Sequence, residues 1–154
     1  KTFTIPEGTV VAVGGTVVIG RKAEKADFAN FWGVTNTTGM VYFNAKDKFP
    51  TINSGETYTI TNAKGITQDG PTLVVSKYFN YQRKSLNGPA SEESAWVSTS
   101  IKDGSKTLAG VATPGSTDLV AGASKLPVVV SEISDANGNG AYYFEFVELT
   151  VLSE

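Results

Sequence analysis

Glu132, Glu145 and Glu148 are the acids set most closely among apolar, strand-forming residues, in VVVSEISDANGNGAYYFEFVEL at residues 128–149. Two carboxylates flanking one bond are the equipment of glycoside hydrolysis. Glu145 and Glu148 are an odd number of residues apart, so on one strand they project from opposite faces and cannot flank the same bond. Glu132 and Glu145 can meet across a ladder, but no sugar cleft is suggested around them. Asp135, Asn137 and Asn139, followed by Gly140, have the alternate-oxygen spacing of a calcium loop. The twelfth place of such a loop needs a carboxylate and holds Phe146. Asn-Gly-Asn-Gly is equally what a tight turn with positive φ selects. Calcium at Asp135, Asn137 and Asn139 is therefore the one cofactor the spacing admits.

GTVVIGRK at residues 15–22 misses a phosphate loop, because Ala23 follows the lysine and strand formers fill its centre. No GxSxG elbow occurs, and the chain has no histidine and no cysteine. That removes the usual general base, thiolate chemistry, disulfides and the common zinc sites. A non-enzymatic protein is expected. Trp32, Trp96 and the six tyrosines suit a core or a sugar-stacking platform. Asn36-Thr37-Thr38 is a glycosylation sequon, a triplet that also arises by chance.

The elements that must position these residues fit one domain of 154 residues, 40% hydrophobic and 18% charged. A net charge of -2 offers no grip on a phosphate backbone, and no apolar run is long enough for membrane insertion. Lys1 reads as the start of a processed or trimmed chain. Residues 2–5, 10–13 and 16–19 read as strands, the last two joined by Gly14-Gly15 as a hairpin. Ala23, Ala26 and Ala29 recur at helical spacing beside Phe28, Phe31 and Trp32, so the pattern predicts a short helix over residues 21–31. Short strands follow at 41–43, 56–61, 72–81 and 95–97. Residues 98–126 read as a loop or linker, and 127–152 as a closing hairpin. In its last strand Tyr143, Glu145, Val147 and Leu149 share one face and Phe144, Phe146 and Glu148 the other, so this strand is central or covered twice. The fold class expected is all-β: an immunoglobulin-like antiparallel β-sandwich with one short helix.

The C-terminal hairpin resembles the first two strands of lamin-tail domains, through Ser131, Glu132, Ile133, Glu145, Phe146, Val147, Glu148 and Leu149. TFTIPEGTVVAVGGTVVIG, SGETYTITNAKG, QRKSLNGPASEESAW and ATPGSTD look like later parts of the same family, down to its Gln-Arg, Trp and Thr-Pro-Gly-Ser signature. The matches span about half the residues. The order departs from the family, for its first two strands come last here, and its next strand has no counterpart after Leu149. Three arrangements accommodate this: a circular permutant, a piece excised from a tandem array, or a hairpin that completes a neighbouring copy.

The expectation is a non-enzymatic structural subunit at the cell surface or outside the cell. It self-associates with other copies of itself into a filament by β-strand complementation, exchanging residues 127–152 or 2–5. Val128, Val130, Ile133, Phe144, Phe146, Val147 and Leu149 are the apolar anchors, and the backbone supplies the affinity. The alternative is a monomeric cell-surface or carbohydrate-binding accessory module of a secreted protein, since the resemblance implies domains that anchor or present hydrolases.

Overall fold

The computed structural model describes residues 1–102, 108–122, 124–136 and 141–154. Among these the elements run β1 (Thr16–Gly20), α1 (Lys25–Trp32), β2 (Met40–Asn44), β3 (Ile60–Thr61), β4 (Thr67–Asp69), β5 (Phe79–Arg83), β6 (Trp96–Ser100), β7 (Val128–Ser134) and β8 (Phe146–Val151). Six strands form one sheet in the order β2-β1-β8-β7-β5-β6, and β3 and β4 form a separate ribbon. The chain is thus mostly β, with one short helix.

β1 is β-branched, which suits a pleated strand packed on both faces. Val17 and Ile19 lie opposite Leu149 and Val147 of β8, while Val18 lies opposite Glu148. On the first face, Val17, Ile19, Val130, Ile133, Val147 and Leu149 pack with Ile52, Tyr58, Leu73, Val75 and Trp96. On the second, Val18 and Phe146 pack with Phe28 and Trp32 of α1, and with Met40 and Ala112. The sheet is therefore covered twice, one of the two arrangements that the alternation in its last strand allows. β7 and β8 are paired on both sides, β8 with β1 and β7 with β5. The terminal hairpin sits in the middle of its own chain's sheet.

An eight-residue helix is marginal in isolation. α1 is held because Phe28 and Trp32, one turn apart, both meet Phe146 edge-on at 5.4 and 5.5 Å. Trp32 Nε1 donates to the Phe144 carbonyl at 2.9 Å. Gly33 ends the helix in the left-handed region, φ 69, where its N–H bonds back to Asn30.

Several expectations need correction. The main sheet is mixed: β1 and β2 are parallel, and α1 lies in the crossover that a parallel pair requires. Residues 2–5 and 10–13 are not strands, and Gly14-Gly15 does not close a hairpin. The Gly14 N–H and the Gly15 carbonyl bond instead to Val151 at 2.8 and 3.0 Å, so β8 occupies the place beside β1 that residues 10–13 were expected to fill. The helix starts at Lys25, after the turn at Arg21 and Lys22. The closing hairpin carries a 3-10 turn, Ala141–Phe144, ahead of β8. Among the described residues of 98–126, β6 runs to Ser100, Ala112 is buried, and Gly115 lies against Met40.

Candidate functional site

Two features stand out, one on each face of the sheet. On the first face lies a groove of about 640 Å³. Ile19, Val130, Val147 and Leu149 are among its lining residues, with residues 1–5 and 57–63. The sheet supplies an apolar floor because these four side chains alternate onto one face of three adjacent strands. Among the described residues, 2–5 make no backbone–backbone hydrogen bond, and neither do Thr57 and Thr59. Tyr58 between them is bonded, its carbonyl accepting from Thr72 N–H at 2.9 Å and its N–H donating to Thr72 Oγ1 at 3.0 Å. The alternation leaves the peptide groups of Thr57 and Thr59 without a partner strand. Phe3 anchors the N-terminal segment on Phe43 and Phe49, with ring centroids 5.8 and 6.3 Å away. A groove floored by apolar side chains and bordered by unpaired backbone has the chemistry of a strand acceptor.

The expected anchors all pack within their own chain. Val130, Ile133, Val147 and Leu149 are buried on the groove face, with half-buried Val128 beside them. Phe146 is buried beneath α1, and Phe144 stacks on Phe31 with centroids 4.0 Å apart. Trp32 and Trp96 are core residues, 1% and 4% exposed, and present no sugar-stacking surface.

On the second face the sheet brings together two acids that the sequence reading kept apart. β7 carries a bulge between Val130 and Glu132, and beyond it Glu132 lies directly opposite Glu148. Both are buried, at 2% and 0% exposure. Ser131, the extra residue, donates from Oγ to Glu148 Oε1 at 2.7 Å. The Thr-Pro-Gly-Ser segment closes over the pair: Thr113 N–H donates to Glu132 Oε1 at 3.0 Å and Gly115 N–H to Glu148 Oε2 at 2.6 Å. Gln82 Nε2 adds a bond to Glu132 at 3.1 Å. No cation pairs with either acid among the described residues. Burial pushes the Glu132 carboxyl up to about 7. Burial, then the charge of Glu132, pushes Glu148 up to about 8. A cavity of about 160 Å³ reaches Glu132 between Gln82, Thr113 and Asp118, and Glu148 is not in its wall. The two acids therefore cannot flank a substrate bond in that cavity.

Glu145 does not pair with Glu132. It accepts from Arg21 Nη1 at 3.1 Å and from the Ile52 N–H at 3.1 Å. Burial nevertheless pushes its carboxyl up to about 7, with nearby Asp135 adding to the rise. Asp135 is occupied in holding the backbone: its carboxylate accepts from Tyr78 N–H at 2.5 Å and Ala136 N–H at 2.7 Å. Tyr78 is in the left-handed region, φ 66, which its side chain disfavours. Asn137 and Asn139 lie outside the described residues. No group of three or more metal-ligating acids occurs among the described ones.

The sequence reading missed the Glu132–Glu148 pair because the register of Val128–Val130, continued evenly, sets Glu132 opposite Val147. The one-residue shift at Ser131 sets it opposite Glu148, and a serine in a β-branched run does not announce a bulge. No family model, curated protein or solved structure matches the chain.

Proposed function

We propose that this chain is a non-enzymatic structural subunit acting outside the cell, and that it self-associates by β-strand complementation with the groove as acceptor. The observation that carries the reading is the pairing of an apolar floor with unbonded backbone at residues 2–5, Thr57 and Thr59. A strand laid there satisfies peptide groups and covers apolar surface together. In this reading the β3–β4 ribbon and the groove are the second layer of an immunoglobulin-like sandwich of lamin-tail type, with one strand position open.

The donor is residues 2–5 of a second copy, whose Phe3 leaves Phe43 and Phe49 of its own chain as the segment is exchanged between copies. Residues 127–152 are the less suitable donor, since their removal would dismantle the centre of the sheet. Thr2, Phe3, Thr4 and Ile5 alternate polar and apolar, so Phe3 and Ile5 can face the floor while the backbone pairs with Thr57 and Thr59. Within one chain, a turn at residues 6–9, closed by Thr9 N–H on the Pro6 carbonyl at 3.2 Å, keeps the segment unpaired. Donation from copy to copy is heterologous and does not close, so it builds a filament.

Sedimentation velocity over a wide range of concentration tests this reading. The expected result is concentration-dependent growth beyond a dimer, weakened about tenfold or more by Thr59→Pro, which removes one edge N–H. A Thr59→Pro chain with unchanged melting confirms that the monomer is intact. A species that stays monomeric at every concentration overturns the proposal.

A further inference from the structure

We propose that Glu132 and Glu148 form a proton-operated latch: with a proton on the pair the Thr-Pro-Gly-Ser segment stays closed on the sheet, and loss of that proton releases it. The inference is independent of self-association and rests on the other face of the molecule.

Geometry carries it. The two carboxyls are buried cross-strand partners, the adjoining cavity reaching Glu132 alone, and each accepts an amide of the same covering segment, Thr113 for Glu132 and Gly115 for Glu148. One charge on the pair is well served by these amides, by Ser131 Oγ and by Gln82 Nε2. Two charges are not, because like charges at this separation repel strongly in a low dielectric. Among the described residues, no neighbouring element supplies a countercharge. β5 presents neutral Asn80 and Gln82, β1 presents Thr16 and Val18, and α1 presents Phe28 and Trp32. Lys84 and Asp118 stand at the wall of the adjoining cavity, opposite in sign to each other, and Arg83 is engaged with Asp69.

Relief therefore requires water, and the elements around the pair differ in how readily they admit it. β7 and β8 are locked by ladder bonds on both sides. The covering segment belongs to no strand, and Gly115 is held there by its bond to Glu148 and by packing on Met40. It is the part that moves. Burial raises Glu132 to about 7, and burial with the charge of Glu132 raises Glu148 to about 8, within reach of ordinary buffers. The released proton goes to solvent, and no other reactant is needed.

Amide hydrogen exchange of the intact protein tests the latch. Protection at Thr113 and Gly115, corrected for base catalysis of exchange, should fall about tenfold or more between pH 7 and pH 9, while the ladder amides of β8 keep theirs. Glu148→Gln and Glu132→Gln, which remove one charge and preserve shape, should abolish that fall. Protection that stays constant across the range, or a fall that persists in both variants, overturns the proposal. Should neither variant fold, carbon-13 carboxyl titration of the unaltered protein decides it: two acids titrating together below pH 5 overturn the latch, and titration above pH 6 with parallel loss of amide protection sustains it.

Discussion

The Val130 N–H donates to the Asp69 carboxylate at 2.9 Å, and this bond ties the β3–β4 ribbon to the strand bulge that turns Glu132 toward Glu148. Asp69 is 5% exposed and also meets Arg83 Nη1 at 3.4 Å, while the Arg83 guanidinium lies 5.2 Å from the centre of the Trp96 ring. Gln82 and Arg83 of β5, Trp96 of β6 and the Thr-Pro-Gly-Ser segment thus serve one junction between the sheet, the β3–β4 ribbon and the covering segment.

Arg83→Met should destabilise the chain by about 3–5 kcal/mol, because it strips the countercharge from a buried carboxylate. Urea denaturation measures the loss. A change of under 1 kcal/mol would show that Asp69 is satisfied by Val130 alone.

Stability should fall as pH rises from about 5 to 9. A carboxyl whose native value is raised holds its proton after the unfolded chain has released it. The contribution is full below the ordinary carboxyl value and is lost as pH climbs through the native values of about 7 and 8. Asp47 and Glu24, lowered by Arg21 and Lys46 respectively, act with the opposite sign, in the acid range only. Thermal melts should show Tm lower by on the order of 10 °C at the alkaline end. A flat profile counts against burial of the charged pair.

Gly115→Ala should cost at least 1 kcal/mol and loosen the cover over Glu148. Gly115 has φ +88, and an added Cβ would lie 3.1 Å from Met40 Sδ. Denaturant midpoints measure the cost, and a shortened Met40→Ala, Gly115→Ala pair should not recover the part due to φ.

Phe28→Ala should cost about 3–5 kcal/mol and strip near-ultraviolet signal from Trp32. The side chain is fully buried and meets Tyr42 at 4.9 Å and Phe146 at 5.4 Å. Retention of both the signal and the stability would mean that α1 is dispensable to the core.

Much of the fold was legible where local pattern and packing agree. The double-sided apolar alternation of residues 143–149 pointed to a strand that is central or covered twice, and β8, from Phe146, is both. Ala23, Ala26 and Ala29 at helical spacing, beside Phe28, Phe31 and Trp32, pointed to α1, which starts one turn later than the pattern predicts. The hairpin expected at Gly14-Gly15 failed for a reason outside its own residues: β8 competes for the edge of β1, and its ladder from Gly20 to Thr16 leaves residues 10–13 nothing to pair with.

By itself, then, the sequence determined a β-rich chain with one helix, a doubly buried last strand, and carboxylates on its two faces. These follow from side-chain period and turn chemistry, which are properties of neighbours in the chain. Only the tertiary structure decided that the last hairpin sits in the middle of its own sheet, that β1 and β2 run parallel, and that a bulge at Ser131 sets Glu132 against Glu148. Those outcomes depend on which strand wins a shared edge and on a one-residue shift in register, and both are settled by competition between segments that are far apart in the chain.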